Sequence, residues 1–312
     1  MDQPVPGPYV EMPRRAWAEL AATTPTPLGQ DVLDQVRGLG DPTDQDDVRE
    51  VYHPLTELIT GFARGVDQVW RGWDAYLRLD VPTPPFVLGV TGSVAVGKTT
   101  VSRLLAELLR RSPGRPKVAL VTTDSFLLPN AVLESRGLLD RKGFPQTYDT
   151  DALLRFVMAI KSGASEVACP VYSHVSYDIV PDESIRIARP DILVLEGLNV
   201  LQPPVDPAEL AMSVADFVDF SVYVDAAEDD IERWFIQRFL TLRGSAFTDP
   251  DSFFRQYAVL GDDEAIALAH DVWRDINGPN LREHIIPTRG RASVVLRKDA
   301  NHVIETVRIR RV

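Results

Sequence analysis

One stretch of eight residues constrains this chain more than any other: Gly92-Ser-Val-Ala-Val-Gly-Lys-Thr99. A loop bracketed by glycines and ending in Lys-Thr is the pattern that wraps the phosphates of a nucleotide. The apolar run at 85–90 is typical of a buried strand, and leucines recur at helical spacing across 99–111. The sequence therefore predicts a strand, a phosphate-binding loop and a helix, in that order.

The residue types within this loop suit a triphosphate. Two glycines allow backbone conformations closed to other residues, so successive N–H groups can turn toward phosphate oxygens at the start of the helix. Lys98 would contact the outer phosphates, and Thr99 would hold Mg²⁺ through its hydroxyl. A glycine-rich turn that binds nothing is the alternative, but the complete motif favours nucleotide binding through Gly92, Ser93, Val94, Ala95, Val96, Gly97, Lys98 and Thr99.

Apolar strands alternate with amphipathic helices along the rest of the chain. Strands are predicted at 118–123, 192–195, 217–224, 293–297 and 305–309, and helices at 151–161, 227–243 and 263–276. This alternation predicts an α/β fold of the P-loop NTPase type, a mainly parallel sheet flanked by helices on both faces. Residues 1–82 are expected to be an N-terminal helical extension, with a helix at 13–22, an acidic turn at 40–47 and an amphipathic segment at 48–79. This extension would pack on a P-loop domain of residues 83–312.

The composition of the chain limits the cellular compartment and the classes of binding partner that we expect. A formal net charge of −12 disfavours nonspecific binding to nucleic acid. A single cysteine, Cys169, excludes an internal disulfide framework and a cysteine-based zinc cluster. The start of the chain lacks the pattern of a secretory signal, and no apolar stretch is long enough to span a bilayer. We expect a cytoplasmic protein with neither nucleic acid nor membrane as a partner.

Two predicted strands end in a carboxylate, at the edge of the sheet where ligands bind in open α/β folds. Asp124 would orient the proton of a hydroxyl that attacks the γ-phosphoryl group, or it would simply cap the next turn. Glu196 would hold Mg²⁺ directly or through water, or it would be a solvated strand end. The chain has no Asn-Lys-x-Asp segment that could read guanine. A metabolite kinase fits these features better than a GTPase.

Two further segments carry polar groups in unusual places. Residues 169–178 place two tyrosines and His174 in a predicted loop between a helix and a strand, where they could clamp a substrate or be merely structural. Arg238 falls in the apolar stripe of the helix at 227–243, where a cation needs an anionic partner. The aromatic residues at 247–257 form either a pocket or ordinary core, and core is the default.

Together these segments resemble the type I bacterial pantothenate kinases, within the wider group that includes uridine kinase and phosphoribulokinase. The resemblance extends from about residue 52 to the C-terminus. Besides the phosphate loop, it rests on 122–127 (TTDSFL), 141–145 (RKGFP), 170–174 (PVYSH), Tyr177-Asp178, 190–202 (PDILVLEGLNVLQ), 246–250 (AFTDP) and Ile276-Asn277.

The resemblance implies a homodimer that phosphorylates pantothenate with Mg²⁺-ATP, in the first step of coenzyme A biosynthesis. It makes Asp124 the group that activates the hydroxyl, assisted by Lys98, and it places Lys298 and His302 at the adenine. The implied pantothenate contacts are Tyr172, His174, Tyr177, Arg238 and Asn277. Coenzyme A is implied as a feedback inhibitor that would contact Arg103, His174, Phe239, Phe247, Phe254 and Tyr257.

Three residues depart from the family pattern. Phe235 stands where a substrate-facing tyrosine is usual, Ser125 replaces the glycine after the catalytic aspartate, and Asp140 replaces a basic or histidine residue. Asp140 would weaken the binding of anionic ligands, coenzyme A included. Two alternatives stay open, namely another metabolite kinase of the same group, such as a uridine kinase, and a catalytically silent regulator that binds nucleotide or coenzyme A.

Overall fold

The computed structural model describes residues 8–21, 28–204 and 212–311. In this part of the chain the strands are β1 (Tyr9–Pro13), β2 (Phe86–Gly92), β3 (Val118–Thr122), β4 (Val167–Ser173), β5 (Asp178–Ile187), β6 (Ile192–Glu196), β7 (Phe220–Asp225), β8 (Val294–Lys298) and β9 (Ile304–Arg310). The α-helices are α1 (Arg14–Ala18), α2 (Gln30–Val36), α3 (Gln45–Asp47), α4 (His53–Leu77), α5 (Lys98–Arg111), α6 (Asn130–Ser135), α7 (Thr150–Lys161), α8 (Glu228–Arg243), α9 (Asp262–Val272) and α10 (Gly278–Asn280). None of the helices in these ranges is long and apolar enough to cross a membrane.

Seven strands form the main sheet in the order β1-β9-β8-β7-β2-β6-β3. Strands β8, β7, β2, β6 and β3 run parallel, and β9 at one side of them runs antiparallel to both of its neighbours, β8 and β1. The prediction of an α/β fold with a mainly parallel sheet and flanking helices is confirmed. All seven residues of β2 are buried, as expected for a central strand covered on both faces.

The register brings the carboxyl ends of the central strands together. Gly92 of β2 pairs with Val224 of β7, and Thr122 of β3 pairs with Glu196 of β6. Because parallel strands end at the same edge of a sheet, the loops after β2, β3 and β6 meet there. The phosphate loop and both predicted carboxylates therefore lie at one edge.

The N-terminal elements share the core of the sheet. Strand β1 pairs with β9 at the other end of the chain, and the indole N–H of Trp17 donates to the carbonyl of Val51 at 3.1 Å. The buried side chains of Trp17, Leu33, Tyr52, Leu55 and Ile59 belong to the same hydrophobic cluster as the strands. The domain boundary near residue 82 stays a prediction.

Several local predictions need correction. The segment at 169–178 is not a loop, because β4 and β5 pair as an antiparallel hairpin whose turn holds His174. The helix predicted at 13–22 is preceded by β1 and ends as a 3₁₀ turn at Glu19–Ala21, and its predicted last residue lies outside the described residues. The strand predicted from residue 217 begins at Phe220, and the helix predicted at 263–276 passes into a π-helical turn, Trp273–Asn277.

Candidate active site

The phosphate loop has the backbone that its glycines predict. Gly97 has φ +94° and Gly92 has φ +144°, and a Cβ added at Gly92 would lie 2.4 Å from the carbonyl oxygen of Val224. Only glycine tolerates both positions without strain. No side chain caps the N-terminus of α5, so its first N–H groups face the loop and can bind anionic oxygens.

Lys98 is buried at the start of α5, and its ammonium donates to the carbonyl of Ser93 at 2.8 Å. Burial lowers the pKa of this ammonium, while Glu196 and Asp124 favour its charged form. Thr99, the next residue, is exposed. The loop thus presents a buried cation, which the sequence predicts at the outer phosphates, beside an exposed threonine, which the sequence predicts on Mg²⁺.

Asp124 lies in a 3₁₀ turn, Thr123–Phe126, directly after β3. The cap of this turn is Thr122, whose hydroxyl accepts from the N–H of Asp124 at 3.3 Å. The carboxylate of Asp124 instead accepts from the phenol of Tyr148, which is buried, at 3.4 Å. The interpretation of Asp124 as a turn cap is therefore wrong, and its carboxylate is available for chemistry.

Glu196 ends β6 and is buried. Burial raises the pKa of its carboxyl to about 6; Asp124 adds to this rise, and Lys98, Arg103 and Arg238 oppose it. The interpretation of Glu196 as a solvated strand end is wrong. The carboxylate of Glu196 and the hydroxyl of Thr99 are both oxygen donors, the kind of ligand that Mg²⁺ prefers, so these residues fit the ion.

The hairpin β4–β5 brings the predicted tyrosines together. The rings of Tyr172 and His174 are 5.1 Å apart between centroids, and those of Tyr172 and Tyr177 are 6.3 Å apart. Burial raises the pKa of Tyr177 to about 12 and, with help from Tyr177, that of Tyr172 above its ordinary range. Both phenols therefore stay protonated at neutral pH and can donate hydrogen bonds to a ligand.

His174 and Arg238 are close enough for the charge of one to affect the other. Both residues are exposed, so Arg238 keeps the helical spacing of the apolar stripe of α8 but is not buried with it. Crowding by protein atoms lowers the pKa of His174 even though its ring reaches solvent; Asp124 raises this pKa, and Arg238 and Arg103 lower it. Neighbouring protein atoms partly desolvate the guanidinium of the exposed Arg238 and lower its pKa, and Glu196 opposes this. These mutual influences indicate that His174, Arg238 and Arg103 lie near the carboxylates of Asp124 and Glu196.

The aromatic residues after α8 form a small cluster of their own, beside the tyrosines of the hairpin. The ring of Phe239 lies 5.4 Å from Phe247 and 6.2 Å from Tyr257, and the ring of Phe254 lies 4.7 Å from Tyr177. This cluster is separate from the main core. Phe247 is buried, as the core interpretation expects, whereas Phe253 is 40% exposed; the pocket interpretation stays a prediction.

Lys298, which lies against Gly97 of the phosphate loop, and the nearby His302 form a second group of predicted site residues. Lys298 ends β8, and a Cβ added at Gly97 would lie 2.8 Å from its ammonium nitrogen. His302 stacks on Trp234 with ring centroids 3.6 Å apart. Within the described ranges, the buried Lys298 Nζ and His302 Nδ1 have no hydrogen-bond partner. Unsatisfied buried polar atoms of this kind are typical of a ligand site.

Three further residues singled out from the sequence, Asn277, Ser125 and Asp140, have fewer recorded contacts with the other predicted site residues. Asn277 is half-buried and ends the π-helical turn whose Trp273 lies 5.8 Å from Phe235, between ring centroids. Ser125 is buried, and Asp140 is exposed in a 3₁₀ turn. Among the residues that the structure describes, the Asn277 side chain makes no hydrogen bond to the other predicted site residues.

Sequence reasoning missed three residues that organise the site. Lys142 is buried and donates to Asn130 Oδ1 at 2.6 Å and to the carbonyl of Tyr177, with its ammonium 4.2 Å from the Tyr177 ring centroid. Burial lowers the pKa of Lys142 to about 8, although Asp178 and Asp124 oppose this. The third residue is Tyr148. The signal that the sequence offered was the segment 141–145, which carries part of the resemblance and contains Lys142, and Tyr148 follows it three residues later.

This arrangement can perform a phosphoryl transfer. One edge of the sheet combines a phosphate loop, a buried lysine, two oxygen donors for a cation and an available carboxylate. Aromatic and cationic side chains line the space beyond the carboxylate. A hydroxyl-bearing acceptor held there would face the terminal phosphate of a nucleotide.

The family model described as Phosphoribulokinase / Uridine kinase matches residues 87–257, more than half of the chain. The chain therefore belongs to this family of P-loop kinases. Proteins named pantothenate kinase are similar over nearly the whole length. The relative from Cutibacterium acnes is 54% identical and is aligned over 100% of this chain and 97% of its own. The relative from Leifsonia xyli subsp. xyli is 53% identical over 98% and 94% of the two chains. Within the larger family, the chain belongs to the pantothenate kinases.

Solved structures resemble the chain in fold. A putative fructose transport system kinase from Silicibacter sp. TM1040 has a TM-score of 0.53 at 23% identity, covering 72% of this chain and 95% of its own. D-glycerate 3-kinase from Cryptococcus neoformans has a TM-score of 0.54 at 15% identity, covering 80% and 97%. At these identities the similarity supports the fold alone. The acceptor of the phosphoryl group has to be inferred from the site and from the more similar relatives.

Proposed function

We propose that the chain transfers the γ-phosphoryl group of ATP to the primary hydroxyl of pantothenate, giving 4'-phosphopantothenate. The observation that carries the proposal is the convergence of Asp124, Lys98 and Glu196 at the phosphate loop, with the carboxylate of Asp124 held by Tyr148. The names of the close relatives support the acceptor. This reaction is the first step toward coenzyme A.

In this proposal Asp124 accepts the proton of the attacking hydroxyl. The hydroxyl oxygen forms a bond to the γ-phosphorus, the bond from the γ-phosphorus to the bridging oxygen breaks, and ADP leaves. Lys98 and the N–H groups at the start of α5 offset the charge on the phosphoryl oxygens. Thr99 and Glu196 would hold Mg²⁺, which supplies further neutralisation of the triphosphate when bound.

The acceptor would lie between the hairpin and α8. Tyr172 and Tyr177 would donate hydrogen bonds through their phenols, and Arg238 would pair with the carboxylate of pantothenate. His174 and Asn277 would contribute further polar contacts. Adenine would lie near Lys298 and His302, whose buried nitrogens have no partner within the described ranges.

The test is an acceptor panel. The purified chain is incubated with Mg²⁺-ATP and separately with pantothenate, uridine or ribulose 5-phosphate, and ADP release and phosphorylated product are measured. We expect a phosphorylated product with pantothenate and none with uridine or ribulose 5-phosphate. Product with another acceptor would assign a sibling activity, and nucleotide binding without any product would favour the silent regulator.

We also propose feedback inhibition by coenzyme A. Its phosphates would compete with ATP for Lys98, Arg103 and His174, and its pantetheine arm would lie against Phe239, Phe247, Phe254 and Tyr257. Arg103→Ala should raise the inhibitory concentration of coenzyme A at least about tenfold, since a hydrogen bond to a charged group contributes about 1.5–3 kcal/mol and every 1.4 kcal/mol is about tenfold. Arg136→Ala, a change at another exposed arginine, is the control. An unchanged inhibitory concentration in Arg103→Ala would contradict the assignment.

The proposed homodimer is supported by α4. This 25-residue helix is largely exposed from Phe62 onward. Its exposed part carries a large apolar surface at Phe62, Val69, Trp73, Tyr76 and Leu77, which are 46%, 56%, 60%, 87% and 56% exposed. A surface of this kind marks a protein interface. Trp73→Glu should give a monomer by light scattering, whereas Val259→Glu, at another exposed apolar residue, should not. A wild-type monomer would contradict the dimer.

We place the chain in the cytoplasm, where ATP and pantothenate are available. The proposal involves no nucleic acid and no membrane. Its charge of −12 supports the first of these statements, since phosphate backbones attract basic surfaces.

A further inference from the structure

A half-buried carboxylate from the N-terminal part of the chain reaches the phosphate loop. A Cβ added at Gly97 would lie 3.0 Å from Asp41 Oδ2 and 2.8 Å from Lys298 Nζ. Two oppositely charged groups, one from the turn after α2 and one from the end of β8, therefore lie against the same glycine of the loop. Sequence reasoning treated residue 41 only as part of an acidic turn.

The turn that carries Asp41 is fastened to the loop. Asp41 Oδ1 accepts from the N–H of Thr43 at 3.0 Å and from its hydroxyl at 2.6 Å. The N–H of Gly38 donates at 2.9 Å to the hydroxyl of Thr100, in the first turn of α5. The position of Asp41 is thus set relative to the helix that begins with Lys98.

Lys298 needs a counter-charge because it is almost fully buried. Its side chain is 2% exposed, and within the described ranges its ammonium has no hydrogen-bond partner. Burial lowers the pKa of Lys298, and Asp41 is the largest influence that opposes this. Burial alone would raise the pKa of Asp41, but Lys298 and hydrogen bonds from Thr43 bring it below its ordinary value. Each group therefore stabilises the charged form of the other.

We propose that Asp41 is a positioning residue for ATP, which keeps the buried ammonium of Lys298 charged and seated behind Gly97 of the phosphate loop. The inference rests on the proposed function only in taking ATP as the nucleotide. A carboxylate near a triphosphate would by itself weaken the binding of ATP. If Asp41 acts through Lys298 instead, removing its charge should weaken ATP binding, so the direction of the change in KM for ATP distinguishes the two effects. Because Asp41 and Lys298 together are neutral, removing the carboxylate leaves a buried cation that must lose its proton or move.

The test compares Asp41→Asn with Asp46→Asn. Asparagine keeps an acceptor for Thr43 but removes the charge, and Asp46 is an exposed carboxylate of the same segment, paired with Arg49. Asp41→Asn should raise the KM for ATP about tenfold, equivalent to about 1.4 kcal/mol, with kcat and the KM for pantothenate within twofold of wild type. Asp46→Asn should change none of the three, and Asp41→Glu should restore most of the ATP affinity.

A double variant separates charge coupling from a merely structural role. In a Lys298→Met background, Asp41→Asn should raise the KM for ATP by less than twofold, because its partner is already gone. An unchanged or lower KM in Asp41→Asn, or the same tenfold rise in both backgrounds, would overturn the inference. Calorimetric titration with ATP gives the same comparison if no acceptor is phosphorylated, so failure of the proposed function and failure of this inference are distinguishable.

Discussion

The buried carboxyl of Glu196 should destabilise the protein whenever it is ionised. Its pKa in the folded protein is about 6, against 4.5 for the free side chain, mainly because burial disfavours the charged form. The folded state therefore binds this proton more tightly than the unfolded state does. Stability is highest below pH 4.5 for this group, and it is lost as the pH rises through 6.

The magnitude follows from the difference of about 1.5 pKa units, which corresponds to about 2 kcal/mol above pH 7. Glu196→Gln mimics the protonated carboxyl, so it should stabilise the ligand-free protein by about 2 kcal/mol at pH 8. At pH 5 the gain should fall below about 1 kcal/mol, since most of the carboxyl in the folded protein is already protonated. For a chain of this length, about 2 kcal/mol corresponds to a rise in Tm of about 3 °C.

The assay is thermal unfolding of wild type and Glu196→Gln at pH 5 and pH 8, without nucleotide. Glu183→Gln, at an exposed carboxylate on β5, is the matched control and should leave Tm unchanged at both pH values. Glu196→Gln should also lose activity, so stability and turnover should move in opposite directions. A lower Tm at pH 8, or an equal gain at both pH values, would refute the reasoning.

Two further variants test the assignments around the acceptor. Asp124→Ala should lower kcat by about 10²–10⁴, the contribution of a general base, while titration finds ATP affinity within about twofold of wild type; equal loss of both would show a binding role. Phe235→Tyr returns a hydroxyl to α8 and should lower the KM for pantothenate about twofold to tenfold, since a hydrogen bond is worth about 0.5–1.5 kcal/mol. An unchanged KM in steady-state assays would show that residue 235 does not face pantothenate.

Local signals predicted the centre of the fold. The apolar strand, the glycine loop and the leucine-striped helix all follow from neighbouring residues, and Leu104, Leu105, Leu108 and Leu109 are buried as their spacing indicates. The carboxylates at the ends of β3 and β6 were predictable because parallel strands end at one edge. The same topology was enough to predict that these carboxylates lie close to Lys98.

Other features depend on distant partners and carry little local signal. Strand β1 exists through pairing with β9, almost 300 residues away. The turn of the hairpin β4–β5 places Tyr177 at φ +53°, a conformation that a tyrosine rarely adopts. Hydrogen bonds from Asn130 and Lys142 to the carbonyl of Tyr177 hold it there. The residues at 169–178 contain no pattern from which the contacts with Asn130 and Lys142 could be predicted.

Arg238 shows the limit of helical periodicity in the site. Its spacing from Ile231, Trp234 and Phe239 predicts an apolar face, and those three residues are buried. Arg238 is nevertheless exposed. Periodicity locates a face, whereas the shape of the surrounding chain decides whether protein or solvent covers each position on it.

The central claim is that this chain moves a phosphoryl group from ATP to pantothenate with Asp124 as the base. The most direct measurement follows the radiolabelled γ-phosphoryl group of ATP into products, with wild type and Asp124→Ala compared under identical conditions. The account predicts labelled 4'-phosphopantothenate from wild type and at least about 100-fold less from the variant. Label that stays in ATP, enters another acceptor in place of pantothenate, or reaches pantothenate equally fast in both proteins would contradict it.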